Sequence, residues 1–143
     1  MVIGLGIDAV DINRMRRWME NKDLLARFFH RQELADTENR GVTAAYSLAA
    51  RFAAKEAYGK ALGTGLKDIT LKNILVTNKP NGQPGLMLLE DALLPFERMR
   101  GTAIHLSLTH ESNIAIACVI LEGNCPETEH FGRSHVIKGD CIV

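Results

Sequence analysis

The apolar positions of this 143-residue chain change period several times, and each change predicts an element. Residues Val2 to Val10 alternate. Ile3, Leu5 and Ile7 point one way and Gly4, Gly6 and Asp8 the other, as in a strand. Glycines on one strand face mark a place where a ligand or another backbone comes close. Ile12, Met15 and Trp18 then recur at helical spacing, with Asp8 or Asp11 as the capping residue. Two short helices are predicted between Asp23 and Asn39. A long helix follows, with Thr43 as its cap, Leu62 as its end and Gly63 as a left-handed stop. Leu71 to Thr77 and Leu86 to Leu89 read as a hairpin around the turn residues 78–84. Glu90 to Arg100 reads as a helix, which tolerates Pro95 only in its first turn. Ala103 to Thr109 and Ile114 to Leu121 read as an antiparallel pair across the turn HESN. The expected fold class is α+β, an antiparallel sheet packed against a long helix. Residues 1–122 form one domain, and 123–143 a polar tail of no clear period.

Within the long helix, Ala45, Ala49, Phe52, Glu56 and Gly59 follow one another at spacings of three or four, so Glu56 falls in an apolar stripe. A carboxylate in such a place needs a metal, a cation or a shared proton. Arg51, Lys55 and Lys60 crowd the same helix, so a structural ion pair and a functional site both fit.

Composition adds little. Hydrophobic residues make up 46% and charged residues 24%, and the formal net charge is zero, which points to neither nucleic acid nor membrane. Between Asn13 and Arg31, however, six cations (Arg14, Arg16, Arg17, Lys22, Arg27, Arg31) face two acids (Glu20, Asp23), a local net charge of +4. That stretch suits an acidic partner or is simply a solvated face. The cysteines, Cys118, Cys125 and Cys141, are odd in number and have no Cys-x-x-Cys spacing. Together with the lack of a secretory leader pattern or a long apolar run, they predict a cytoplasmic protein. Cys125, His130, His135 and Cys141 match no compact zinc knuckle.

Asp8, Glu56 and the HLSLTHE stretch from His105 to Glu111 are the residues that suggest chemistry. Two hard carboxylates with open positions suit magnesium, and Arg51, Lys55 and Lys60 suit phosphate oxygens. The turn at Gly63 and Gly65 leaves room for a ligand to pass.

GLGIDAVDINR (4–14), RFAAKEAYGKALGTG (51–65), NGQP (81–84) and SLTHESNIAIACVILE (107–122) resemble the holo-[acyl-carrier-protein] synthases, the small bacterial type of 4'-phosphopantetheinyl transferase. The resemblance covers roughly residues 2–122 in order and spacing. It implies transfer of phosphopantetheine from coenzyme A to a serine of apo-acyl carrier protein, with release of adenosine 3',5'-bisphosphate. It implies Mg2+ held by Asp8 and Glu56, with Lys60 steadying phosphate oxygens or protonating the leaving group. Arg51 and His110 would lie near the nucleotide phosphates, and Arg14 would meet the acidic carrier protein. The family's small members are homotrimers with active sites at subunit interfaces. Three features depart from the pattern: Gln83 stands where the family often has Lys, Ile114 where many members have Tyr, and the tail runs past the usual ending. A non-catalytic nucleotide/coenzyme A-binding or partner-docking trimer of the same fold and a different metal-dependent phosphohydrolase are the competing readings: metal-independent coenzyme A binding with no transfer would mark the first, and release of phosphopantetheine or phosphate without a carrier protein the second.

Overall fold

A computed structural model describes residues 1–124. Strand β1 (Val2–Asp11) leads into three short helices, α1 (Ile12–Trp18), α2 (Lys22–Phe28) and α3 (Arg31–Glu38). A 3-10 turn (Gly41–Thr43) opens directly into the long helix α4 (Ala44–Leu62). Then come β2 (Ile74–Asn78), β3 (Pro84–Leu88), α5 (Leu93–Arg98), β4 (Gly101–Glu111) and β5 (Ile114–Gly123). The main sheet is antiparallel in the order β1-β5-β4, and β2-β3 form a separate hairpin. The expected α+β architecture is present, with the three-stranded sheet lying on α4. Cys125, His130, His135 and Cys141, and most of the predicted tail, lie outside the described residues.

The close approach signalled by Gly4 and Gly6 is to a backbone and not to a ligand. A Cβ on Gly6 would stand 1.9 Å from the Ala57 carbonyl oxygen, and one on Gly4 would stand 2.2 Å from that of Ala61. Two glycines two apart on a strand thus meet two alanines four apart on a helix, and β1 lies directly on α4. This seating carries Asp8, the next residue on the same face, to the helix.

Asp11 is the cap of α1, accepting from the Asn13 and Arg14 amides at 2.6 and 3.4 Å, which leaves the Asp8 side chain for other work. Thr43 does stand at the N-cap position of α4, but its side chain makes no capping bond: its hydroxyl donates back to the Arg40 carbonyl at 2.8 Å, because α4 grows out of a 3-10 turn. Gly63 ends α4 at φ 75° as expected, and the Gly65 amide closes the turn on the Gly59 carbonyl at 3.0 Å. Pro95 does fall in the first turn of α5.

Helix α4 has no single apolar stripe. It is buried nearly all round, by the sheet on one side and by α1, α3 and β2 on the others. Glu56 is therefore not on the most buried side; it is half-buried, and Lys60, one turn on, is exposed. The charges that are fully enclosed are different ones. Lys55 and Glu33 are both completely buried, 2.7 Å apart. Lys55 Nζ also donates to the carbonyls of Leu71 and Ile74, and Glu33 accepts from the amides of His30 (2.9 Å) and Val76 (3.1 Å). Burial lowers the Lys55 pKa and Glu33 opposes the shift. The pair ties α3, α4 and β2 together.

The other face of the sheet is open. Leu5, Ile7, Ile114 and Ile116 are 58, 54, 49 and 38% exposed, on adjacent strands and on the side away from α4.

Candidate active site

Asp8, Glu56, Lys60 and Arg14 gather where the edge strand β1 crosses α4. Lys60 Nζ stands 3.0 Å from Asp8 Oδ1, reaching back along its helix. Glu56 lies one helical turn before Lys60, on the same strip. Burial raises the Glu56 pKa above the usual carboxylate range, and the negative charge of Asp8 adds to it; Lys60 and Arg14 act the other way. Arg14 reaches the site from α1 with its guanidinium over the rings of Trp18 (5.1 Å) and Phe52 (5.5 Å). It is half-buried, with its Nε unpartnered, whereas Arg16, Arg17, Lys22, Arg27 and Arg31 are exposed.

A pair of carboxylates that repel each other's charge is a ready place for a hard cation. The donor set consists of oxygens only, which suits magnesium, an ion that fills its remaining positions with water and phosphate oxygens. Beyond Lys60 the turn through Gly63 and Gly65 is open, with nothing within 4 Å of where a Gly65 Cβ would stand.

Arg51 and His110 are elsewhere. His110 lies at the end of β4, and β5 separates that strand from β1. Both residues line a cleft of about 370 Å³ with Arg40, Tyr46, Ser47 and Asn78. Arg51 is held by the Ser47 hydroxyl, its Nη2 stands 3.8 Å from Asp36, a distance beyond hydrogen bonding, and its Nε and Nη2 are buried and unpartnered. Burial lowers its pKa. An enclosed guanidinium with free donors beside a cleft suits an anion. Within one chain, then, the expected site residues form two groups, Asp8–Glu56–Lys60–Arg14 and Arg51–His110, on opposite sides of the sheet's central strand.

Lys55, expected among the phosphate ligands, is excluded, because its ammonium is enclosed and saturated by Glu33 and two carbonyls. The Glu33–Lys55 pair had one sequence signal: Glu33 lies three residues after His30, the spacing of a capping box, and it does close one. Tyr46, Arg40 and Asn78 carried no signal, since only the fold brings them to the cleft. Gln83 accepts from Lys79 Nζ at 3.1 Å, so a cation does stand at that turn. His105 pairs with Glu122 at 3.0 Å on the open face of the sheet, away from both groups.

Residues 4–119 match the sequence profile of the 4'-phosphopantetheinyl transferase superfamily. The chain belongs to that superfamily. Among relatives of this transferase, the holo-[acyl-carrier-protein] synthase of Treponema denticola is 52% identical over 123 residues, 86% of this chain and 100% of the relative. The crystal structure of the holo-[acyl-carrier-protein] synthase of Neisseria meningitidis matches with a TM-score of 0.77 at 28% identity, over 85% of this chain and 99% of that one. That of Bacillus anthracis, solved in complex with CoA (3',5'-ADP), matches with a TM-score of 0.73 at 32% identity, over 87% of this chain and 99% of that one. Within the superfamily, the transferase is therefore of the holo-[acyl-carrier-protein] synthase type.

Proposed function

We propose that the protein transfers 4'-phosphopantetheine from coenzyme A to a serine of apo-acyl carrier protein, with magnesium held between Asp8 and Glu56. The observation that carries this reading is the gathering of Asp8, Glu56 and Lys60 at one seam, where Glu56 is kept from its ordinary acidity by burial and by Asp8. Bound there, magnesium would neutralise the pyrophosphate and act as its Lewis acid. The protein's own groups do the rest. Glu56, directly or through an intervening water, takes the proton of the serine hydroxyl. The serine Oγ forms a bond to the β-phosphorus of coenzyme A, and the bond from that phosphorus to the bridging oxygen breaks. That oxygen leaves with adenosine 3',5'-bisphosphate. Lys60, on a flexible and exposed stem, turns from Asp8 to the leaving phosphate and offsets its charge. Such a reaction asks the protein for position and charge more than for covalent help.

Arg51 and His110 hold the nucleotide phosphates in this reading, and Gly63 and Gly65 let the substrate pass close to the backbone. The two groups lie on either side of β5, an arrangement that favours a site completed by a second copy. The open apolar face around Leu5, Ile7 and Ile116 favours such an assembly, and we assign a homotrimer with active sites between subunits. The exposed cations of α1 to α3, with Arg14 behind them, receive the acidic carrier protein. The same reading assigns the enzyme to fatty acid biosynthesis in the cytoplasm. Among the described residues no helix is long and apolar enough to cross a membrane.

The test is mass spectrometry of an apo-acyl carrier protein incubated with the enzyme, coenzyme A and magnesium. The carrier should gain the mass of phosphopantetheine. An unmodified carrier in the presence of well-folded enzyme would overturn the proposal.

A further inference from the structure

His110 presents its imidazole to the Arg51 cleft from the end of a strand, where a side chain has several rotamers open to it. One neighbour narrows that choice. The ring of Tyr46, on the first turn of α4, meets the imidazole edge-on, with 5.3 Å between centroids and 71° between planes. Tyr46 is itself gripped from α1. The Arg16 guanidinium lies 5.5 Å over its ring, and Arg16 Nη2 donates to the Tyr46 hydroxyl at 3.4 Å. Arg16 Nη1 in turn donates to Asn13 Oδ1 at 2.6 Å. A continuous chain of contacts, Asn13–Arg16–Tyr46–His110, thus runs from the basic face of α1 to the cleft.

We infer that Tyr46 is a positioning residue, which holds the His110 imidazole in the orientation that meets the nucleotide phosphates of coenzyme A. The inference rests on the reading of His110 as a nucleotide-phosphate ligand. A side chain already confined before binding loses less freedom when the ligand arrives. An edge-to-face aromatic contact also favours one ring orientation over its alternatives. The Arg16 guanidinium over the Tyr46 ring hinders the phenol from turning away. The contact with His110 is ring to ring, and the guanidinium still covers the ring when the long 3.4 Å bond to the hydroxyl is lost, so the ring should matter more than the hydroxyl.

The test measures KM for coenzyme A, kcat and the affinity for adenosine 3',5'-bisphosphate in Tyr46→Phe, Tyr46→Ala, His110→Ala and the Tyr46→Ala/His110→Ala pair. Melting curves check each fold, and Tyr46→Leu replaces Tyr46→Ala if the latter melts early. Tyr46→Ala should raise KM about three- to tenfold, the worth of one aromatic pair, with kcat nearly unchanged. Tyr46→Phe, which keeps the ring and loses only the bond from Arg16, should raise KM less than Tyr46→Ala. In the His110→Ala background Tyr46→Ala should add nothing, because its effect runs through the imidazole. The His110 ring-proton resonance should also lose its ring-current shift in Tyr46→Ala and keep it in Tyr46→Phe. An equal KM increase with and without His110, or an unshifted resonance, would overturn the role of Tyr46 and leave His110 as a ligand. An unchanged nucleotide affinity in His110→Ala would remove the reading of His110 itself, and with it any purpose for Tyr46.

Discussion

Adding one methyl group at Gly6 should damage both the fold and the chemistry, and the size of each effect can be worked from the seating of β1 on α4. An alanine Cβ there would lie 1.9 Å from the Ala57 carbonyl oxygen and 2.6 Å from the Ala61 nitrogen. Both are main-chain atoms of a buried helix and have no rotamer to escape into. A carbon needs about 3.3 Å from an oxygen, so β1 must withdraw from α4 by about 1.4 Å beyond the present 1.9 Å. Overpacking of this kind costs about 1–3 kcal/mol, and a rigid backbone neighbour puts the cost near about 3 kcal/mol. A domain of this type holds about 5–15 kcal/mol in all, so Gly6→Ala should still fold. Asp8 rides on the same strand face two residues further on, so it moves relative to Glu56 and Lys60. A displacement of about 1 Å at reacting groups costs on the order of a hundredfold in rate. Urea unfolding followed by circular dichroism gives the first quantity, and the phosphopantetheine transfer rate the second. Gly85→Ala is the control: its Cβ would meet only Thr77 Oγ1 at 3.7 Å, and stability should stay within about 0.5 kcal/mol. A Gly6→Ala protein with the wild-type urea midpoint and full activity would refute the close seating of β1.

Other consequences can be checked in the same way. Lys55→Met leaves Glu33 buried and charged, so it should cost about 3–5 kcal/mol in urea unfolding; the Lys55→Met/Glu33→Leu double variant should cost less than the sum of the single ones, and strict additivity would contradict the pairing. Burial pushes the Asp91 carboxyl up, but hydrogen bonds from Thr70 and Asn73 outweigh it and hold the pKa below the ordinary value. Its contribution to stability is then present above the unfolded-state pKa and is lost as pH falls through the lower folded value, so Asp91→Asn should flatten the acid limb of stability below about pH 4; an unchanged limb would contradict this. Ile7→Glu sets a charge in the middle of the open apolar face and should convert the proposed trimer to monomers in light scattering, whereas a trimer that persists in this variant would place the interface elsewhere.

Much of the fold was legible because local chemistry and tertiary structure agree. Gly63 is where a left-handed residue was needed, the turn residues after Asn78 do join β2 to β3, and the alternation of β4 and β5 survives in the sheet. What misled was periodicity on α4. A helix covered on nearly every side has no stripe to report, so alanine spacing placed Glu56 too deep and gave no sign that Lys55 was the enclosed charge. The two glycines of β1 marked a close approach, but a sequence does not say to what. The open face of the sheet was unreadable for a similar reason: Leu5 and Ile7 look like core residues, and only the position of α4 shows that one chain leaves them uncovered. As for the candidate site, Asp8, Glu56 and Lys60 are brought together, whereas Arg51 and His110 stand across β5.

The most direct test of the carboxylate pair is the transfer rate as a function of magnesium concentration, in the wild type and in Glu56→Gln. The wild type should show saturable dependence on magnesium and no transfer in EDTA. Glu56→Gln should fall by about a hundredfold or more, since a lost Lewis acid is worth several kcal/mol, while its mass in light scattering stays that of the wild type. Transfer that persists in EDTA, or a Glu56→Gln enzyme as fast as the wild type, would contradict the account.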